Sequence, residues 1–186
     1  GDLDIARKYI KDFAQIGADA IKFQTRNNKF LFSESAYSKE YNSENAFAEV
    51  YGMHREALEL APDWLTIIRD DCKRYGVKFI STPFDEPSLE LLCEIGVEAI
   101  KISSFDLGNL PFIKRIAEKK LPVVISVGGG KYEHIKSSVS ILQDYLNDIA
   151  ILHCVSEYPC DVDRLGLNNI KLFRVLDVIL LQFYYL

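Results

Sequence analysis

The chain has 186 residues, which fits one domain with a substantial core, and its 48% hydrophobic and 26% charged content is that of an ordinary globular protein. Its net charge of −5, without a basic stripe, argues against nucleic acid as a partner. No apolar run approaches the roughly 20 residues that a membrane span needs, and no signal peptide is visible. The four cysteines are irregularly spaced, which predicts reduced thiols in a cytoplasmic protein.

Helix and strand patterns alternate along the chain, beginning with a helix that Asp2 or Asp4 caps and that ends near Gln15. Strands are predicted at Ala20–Thr25, Val77–Phe84, Ala99–Phe105, Pro122–Val127, Ile149–Val155 and Asp177–Phe183. Further helices are predicted at Pro62–Tyr75, Pro87–Ile95, Leu110–Lys119, Tyr132–Leu146 and Leu167–Leu176. Residues 26–62 form a long connection with a predicted helix from Glu44 to Leu60, and connections of this length are usually functional.

This repetition predicts an α/β fold, a TIM (β/α)8 barrel of which residues 1–186 form a single, partial domain with about six βα units. A closed barrel needs eight units, so one strand is expected before Gly1 and one after Leu186. A flavodoxin-like open sheet is the structural alternative. Because barrel strands end at one face, the polar residues at their carboxyl ends are expected to share a pocket.

Two lysines interrupt apolar strands, Lys22 in AIKFQT and Lys101 in AIKISS. An ammonium is costly to bury without an anionic partner, so each lysine is expected to meet either a ligand or a structural carboxylate. Two such lysines on different strands favour a phosphate or carboxylate ligand. Alternation along the strand places Gln24 on the same face as Lys22.

Hydroxyl side chains at strand ends could help to bind an anion; these are Thr82, Ser103, Ser104 and Ser126. The loop Gly128–Gly130 could bring backbone amides close to a phosphate, at the start of the next helix. His153 lies in an apolar run and fits either a buried structural role or a catalytic one. Cys154 is expected in the core, and His54 and His134 are expected at the surface.

Five blocks, in this order, resemble the N-acetylneuraminate (sialic acid) synthase family: GADAIKFQT, STPFD, KIxS with Asn109-Leu110-Pro111, ISVGG and LHCxSxYP. The resemblance covers nearly the whole chain. It implies a TIM barrel that condenses phosphoenolpyruvate with the open-chain aldehyde of N-acetylmannosamine or a related sugar. In this family a divalent metal, Mn2+ or Mg2+, polarises the aldehyde, C3 of phosphoenolpyruvate attacks it, water adds to C2, and phosphate leaves.

The resemblance also implies roles for individual positions. Phosphoenolpyruvate would be bound by Lys22, Thr82, Lys101, Ser104, Ser126 and Ser156, with the two lysines as the catalytic candidates. The sugar would be faced by Gln24, Asp106 and Tyr158. Strand alternation alone would have favoured Ser103 over Ser104, and the family motif decides for Ser104.

Several features of the family are expected to lie outside this chain. Its catalytic glutamate belongs upstream of Gly1, and its two metal-binding histidines belong downstream, so no metal ligand is expected here. The first histidine follows in a Ser-Asp-His motif where this chain reads Leu180 to Leu186. The C-terminal antifreeze-like domain, which completes the partner's site in a homodimer, is also expected to be absent. The fragment by itself is therefore expected to be inactive.

Two other functions fit the residues. One is a Schiff-base aldolase on the same fold, with Lys22 or Lys101 as the nucleophile. The other is a non-catalytic, truncated relative that retains phosphoenolpyruvate binding.

Overall fold

A computed structural model describes residues 1–157 and 159–182, with side chains as far as Ile179. Two compact units make up the chain, Gly1–Glu98 and Ala99–Leu186. Within each unit, parallel strands alternate with helices as the sequence predicts.

The first unit contains two parallel strands, β1 (Ala20–Thr25) and β2 (Lys78–Pro83). Its helices are α1 (Leu3–Gln15), α2 (Asn28–Leu31), α3 (Glu34–Tyr37), α4 (Tyr51–Leu58), α5 (Pro62–Tyr75) and α6 (Glu86–Ile95). Side chains of Asp2 and Asp85 cap α1 and α6 by accepting a hydrogen bond from the N–H three residues later. Helices α5 and α6 end at Gly76 and Gly96, whose φ angles of 72° and 86° favour glycine.

The core of the first unit covers one face of β1 and β2. Phe79 is fully buried and its ring lies 6.0 Å from that of Phe23, while Ile10 and Ile68 from α1 and α5 are also fully buried. Odd-numbered residues of both strands therefore belong to the packed face. Even-numbered residues, Lys22 among them, lie on the opposite face because side chains alternate along a strand.

The long connection after β1 differs from the sequence prediction. The segment Glu44–Leu60 was predicted as one helix, but α4 begins only at Tyr51. An isolated antiparallel bridge instead pairs Glu40 with Val50. Glu44 and its neighbours therefore belong to a turn closed by this bridge rather than to a helix.

His54 explains why the connection folds in this way. Its ring lies 4.5 Å from that of Tyr41 and 5.9 Å from that of Phe47, and its Nδ1 accepts a hydrogen bond from the N–H of Phe47 at 3.2 Å. The prediction of a surface position for His54 is therefore wrong, because aromatic side chains of the connection fold over it and bury it.

The second unit contains four parallel strands that pair in sequence order: β3 (Ala99–Ile102), β4 (Val123–Ser126), β5 (Ile149–His153) and β6 (Ile179–Gln182). Its helices are α7 (Leu110–Glu118), α8 (Tyr132–Gln143) and α9 (Asn169–Phe173). The predicted helix Leu167–Leu176 is divided into α9 and a 3-10 turn at Arg174–Leu176. The predicted end of the last strand, Phe183, lies outside the described residues.

Isoleucines from β3, β4 and β5 form the centre of the second core, against fully buried residues of α7 and α8. Ile100, Ile125 and Ile151 are each fully buried. No helix in the described part of the chain is both long enough and apolar enough to cross a membrane. None of the four cysteines, all of which lie in the described part of the chain, forms a disulfide.

Candidate functional site

Three predicted site residues lie on one face of the first unit. The register of β1 and β2 pairs Gln24 with Thr82, and Lys22 precedes Gln24 by two residues on the same side of β1. Thr82 is buried, whereas Lys22 and Gln24 are exposed. The sequence predicted the shared face of Lys22 and Gln24, and the register adds Thr82 to it.

The environment of Lys22 differs from the expectation. The sequence argument took this lysine to be buried in an apolar strand, but it is exposed because the opposite face of β1 carries the packed residues. Neighbouring protein atoms nevertheless desolvate its ammonium in part, which lowers its pKa from the ordinary 10.5. The argument that a buried ammonium is costly therefore applies to Lys101, which is buried, and not to Lys22, which is exposed.

An ion pair that the sequence did not reveal lies beside Gln24. Arg26 Nη1 is 3.2 Å from Glu59 Oε1, and its Nη2 is 2.5 Å from Gln24 Oε1. The Arg26 Cζ atom also lies 4.4 Å from the ring centre of Phe84. Burial raises the pKa of Glu59 to about 7, and the charge of Arg55 opposes this shift.

A cavity of about 550 Å³ lies next to this ion pair, beyond the end of β1. Thr25, Arg26, Asn28, Glu59 and Trp64 are among the residues that line it. None of the predicted site residues that the structure describes lines this cavity. The cavity is therefore distinct from the face that carries Lys22, Gln24 and Thr82.

Lys101 is the buried lysine of the second unit, with 7% of its surface exposed. Its Nζ donates hydrogen bonds to the carbonyl oxygen of Ile102 at 2.7 Å and to Ser126 Oγ at 2.6 Å. Both of these acceptors are neutral. The two contacts fix the ammonium at the end of β3, next to a second predicted site residue on β4.

Strand β3 ends at Ile102, earlier than predicted, so Ser103 and Ser104 both lie beyond the strand. Ser103 Oγ accepts a hydrogen bond from the N–H of Phe105 at 3.2 Å and caps the 3-10 turn Ser104–Asp106. The alternation that would have favoured Ser103 does not continue past the strand end. The hydroxyl of Ser103 therefore has a local capping role, and a ligand role for Ser104 stays a prediction.

Asp106, at the end of this turn, has an unusual environment for a carboxylate. It is 4% exposed, and its buried Oδ2 atom has no hydrogen-bond partner. Burial raises the pKa of Asp106 from 3.8 to about 6, although a hydrogen bond from the Asn109 side chain acts in the opposite direction. A buried acceptor without a protein partner can accept a hydrogen bond from a ligand or from a water molecule.

The glycine loop that follows β4 lies against Ser156. A Cβ atom on Gly128 would be 2.9 Å from both Ser156 Oγ and Cys154 Sγ, so only glycine fits there. Gly129 has a φ angle of 70° and also lies close to Ser156. The predicted residues Lys101, Ser104, Asp106, Ser126 and Ser156 therefore all lie at or just beyond the strand ends of the second unit.

Of the two remaining candidate residues, His153 is described by the structure and Tyr158 is not. His153 is buried, its Nε2 lies 2.8 Å from the carbonyl oxygen of Leu165, and its ring is 6.0 Å from that of Phe173. These contacts favour the structural role over the catalytic one. Tyr158, which the resemblance places at the sugar, lies outside the described residues.

No three histidine, cysteine, aspartate or glutamate side chains gather as a metal site would require, within residues 1–157 and 159–182.

Comparison with known proteins identifies the family. The sequence profile described as "NeuB family" matches residues 9–176 of the chain. The chain belongs to the NeuB family. It is 35% identical to N-acetylneuraminate-9-phosphate synthase of Drosophila melanogaster over 175 residues, which are 94% of this chain and 47% of that protein. It is 33% identical to N,N'-diacetyllegionaminic acid synthase of Legionella pneumophila over 92% of this chain and 50% of that protein.

A solved NeuB-type structure shows the same fold. The N-acetylneuraminic acid (sialic acid) synthetase of Leptospira borgpetersenii matches with a TM-score of 0.81 and 28% identity, over 99% of this chain and 60% of that chain. The predicted fold class is confirmed: the chain has an α/β fold of the TIM-barrel type with about six βα units. This NeuB-family chain spans about half the length of the curated relatives it matches.

Proposed function

We propose that this chain forms the phosphoenolpyruvate-binding part of a nonulosonic acid synthase. The whole protein would condense phosphoenolpyruvate with N-acetylmannosamine or a related amino sugar. The observation that carries this proposal is the buried Lys101, whose Nζ lies 2.6 Å from Ser126 Oγ at a strand end. Both residues occupy positions to which the family resemblance gives phosphoenolpyruvate binding.

The charged groups of phosphoenolpyruvate fit the lysine and hydroxyl side chains among the candidate residues. It carries a phosphate and a carboxylate, and charge-assisted hydrogen bonds from lysines to such anions are among the strongest that proteins make. Lys101, Ser104, Ser126 and Ser156 of the second unit are the residues that would bind it, and the resemblance adds Lys22 and Thr82 as candidates. In the reaction, C3 forms a bond to the sugar aldehyde, water adds to C2, and the bond from C2 to the phosphate oxygen breaks.

The sugar side would use residues with unsatisfied or exposed hydrogen-bonding groups. The buried Oδ2 of Asp106 lacks a partner, and a sugar hydroxyl would supply the missing donor. Gln24 would contribute its exposed carboxamide, and Tyr158 would contribute a phenol. The divalent metal and the catalytic glutamate of the family would come from residues outside the described part of this chain, so no step is assigned to them.

Other properties of the whole protein are part of the proposal. We expect a cytoplasmic homodimer in which residues 1–186 belong to one barrel domain and a further C-terminal domain completes the partner's site. The free thiols of this chain are consistent with a reducing compartment.

The direct test is a phosphate-release assay on the whole protein with phosphoenolpyruvate and N-acetylmannosamine. The expected result is release of inorganic phosphate only when both substrates are present, together with a product whose mass is that of the nonulosonic acid. Phosphate release without the sugar would contradict the proposal, because it would indicate simple hydrolysis.

One observation favours the Schiff-base alternative. The lowered pKa of Lys22 increases the fraction of its neutral amine, which is the form that attacks a carbonyl. Borohydride treatment in the presence of pyruvate distinguishes the two mechanisms. A covalent adduct on Lys22 would support an aldolase, and an unmodified chain would support the synthase.

A further inference from the structure

Gln24 ends in a carboxamide whose two ends have similar shapes and opposite hydrogen-bonding character. Its oxygen only accepts hydrogen bonds, and its nitrogen only donates them. An exposed glutamine that nothing holds samples many rotamers and both amide orientations. The group that binds one end of the Gln24 carboxamide therefore determines whether a ligand contacts its oxygen or its nitrogen.

Arg26 binds the oxygen end of Gln24. Its Nη2 lies 2.5 Å from Gln24 Oε1. A guanidinium has hydrogen-bond donors and no acceptor, so the nitrogen of the carboxamide cannot take this place. The two N–H groups of Gln24 consequently lie at the end of the carboxamide that Arg26 does not contact, on a residue that pairs with Thr82 in the sheet.

Arg26 is itself held on several sides. Glu59 contacts it twice, through the ion pair at 3.2 Å and through a hydrogen bond of 3.3 Å from the Arg26 backbone N–H to Oε2. The Phe84 ring covers the guanidinium, and the Arg26 side chain is 8% exposed. Glu59, whose side chain is 17% exposed, thus holds the guanidinium in place before any ligand arrives, although Arg55 also compensates part of its charge.

We propose that Arg26 is a positioning residue for the sugar side of the site: it fixes Gln24 so that the carboxamide nitrogen donates to an oxygen of the amino sugar. This inference rests on the proposed function and makes it more specific. The sugar group that meets Gln24 is a hydroxyl or carbonyl oxygen and not an ammonium. A site with donors fixed in this way rejects a ligand without the acceptor, because the donors would stay unpaired.

The test compares the whole chain with the double variant Arg26→Met/Glu59→Gln. Both charges of the ion pair are removed together, so neither Arg26 nor Glu59 is left without its partner in the pair. The control is Lys8→Met/Asp12→Asn, which removes an exposed ion pair of α1. A further variant, Gln24→Glu, keeps the oxygen that Arg26 binds and removes both donors.

Two readouts are used. The first is the NMR signal of the Gln24 side-chain NH2 group, whose order is measured without any ligand. The second is calorimetry, with phosphoenolpyruvate alone and then with N-acetylmannosamine added to the phosphoenolpyruvate complex. A merely structural ion pair would change both affinities or neither, whereas a positioning residue changes the affinity for the sugar alone.

The expected result is an ordered Gln24 amide in the wild-type chain and the control, and an averaged amide in the double variant. Affinity for N-acetylmannosamine should fall about 10-fold to 100-fold in the double variant and in Gln24→Glu, with phosphoenolpyruvate affinity within about twofold. A folded double variant with wild-type sugar affinity would overturn the proposal. If that variant does not fold, unchanged sugar affinity in Gln24→Glu would overturn it. A wild-type chain that binds neither compound would refute the proposed function, and the NMR readout would then decide whether Arg26 orders Gln24.

Discussion

Replacing Asp106 with asparagine should make the chain more stable at neutral pH. The carboxyl group is 4% exposed, and its Oδ2 atom is buried without a hydrogen-bond partner. Burial raises its pKa to about 6, so the folded chain resists ionisation of a group that ionises near 3.8 when the chain is unfolded. Asparagine has nearly the same shape and cannot ionise, so it removes this cost.

The magnitude follows from the two pKa values. The gap between 3.8 and about 6, at about 1.4 kcal/mol per pH unit, gives a cost of about 3 kcal/mol above pH 6. The amide of asparagine also needs hydrogen-bond partners, which offsets about 1–2 kcal/mol of the gain. We therefore expect Asp106→Asn to raise the free energy of unfolding by about 1–2 kcal/mol at neutral pH.

The sign of the pH dependence is fixed by proton linkage. Between the two pKa values the folded chain binds more protons than the unfolded chain, so wild-type stability falls as pH rises through this window and then stays level. The advantage of Asp106→Asn should accordingly grow with pH up to about 6. Urea unfolding at a series of pH values measures this, with the exposed Asp148→Asn as the control. A difference between wild type and Asp106→Asn that does not change with pH would refute the reasoning.

Three further substitutions test other parts of the account. Gly128→Ala should destabilise the second unit by about 1–3 kcal/mol in urea unfolding, because its Cβ would be 2.9 Å from neighbouring sulfur and oxygen atoms. Gly129→Ala, where the strain comes from the φ angle of 70°, should cost about 1 kcal/mol in the same measurement. His54→Ala should cost about 2–3 kcal/mol, through loss of the aromatic contacts and of the hydrogen bond to the N–H of Phe47, and equal stability would contradict its buried role.

The alternation of fold elements could be predicted from the sequence because its signals are local. Strand β1 was placed at Ala20–Thr25, as observed, and Gly76 ends α5 as predicted. The connection after β1 could not be predicted in the same way. Its turn depends on Tyr41 and Phe47 packing on His54, and such tertiary contacts override local helical periodicity.

The site was predicted in part. Side-chain alternation placed Lys22 and Gln24 on one face, since it follows from strand geometry alone, whereas the register that brings Thr82 beside Gln24 was not predicted. Alternation did not give the exposure of Lys22, which depends on which face of the strand the helices cover. The contact of Arg26 with Glu59 could not be predicted either, because the two residues are 33 positions apart and the connection that contains α2, α3 and α4 lies between them.

The central claim is that this chain carries the phosphoenolpyruvate-binding part of a synthase, and calorimetric titration with phosphoenolpyruvate tests it most directly. The wild-type chain should bind saturably, and Lys101→Met should weaken binding at least about tenfold through loss of a charge-assisted contact. The control Lys78→Met, at the opposite end of a strand, should bind like the wild type. Absence of binding, or equal affinity in wild type and Lys101→Met, would contradict the claim.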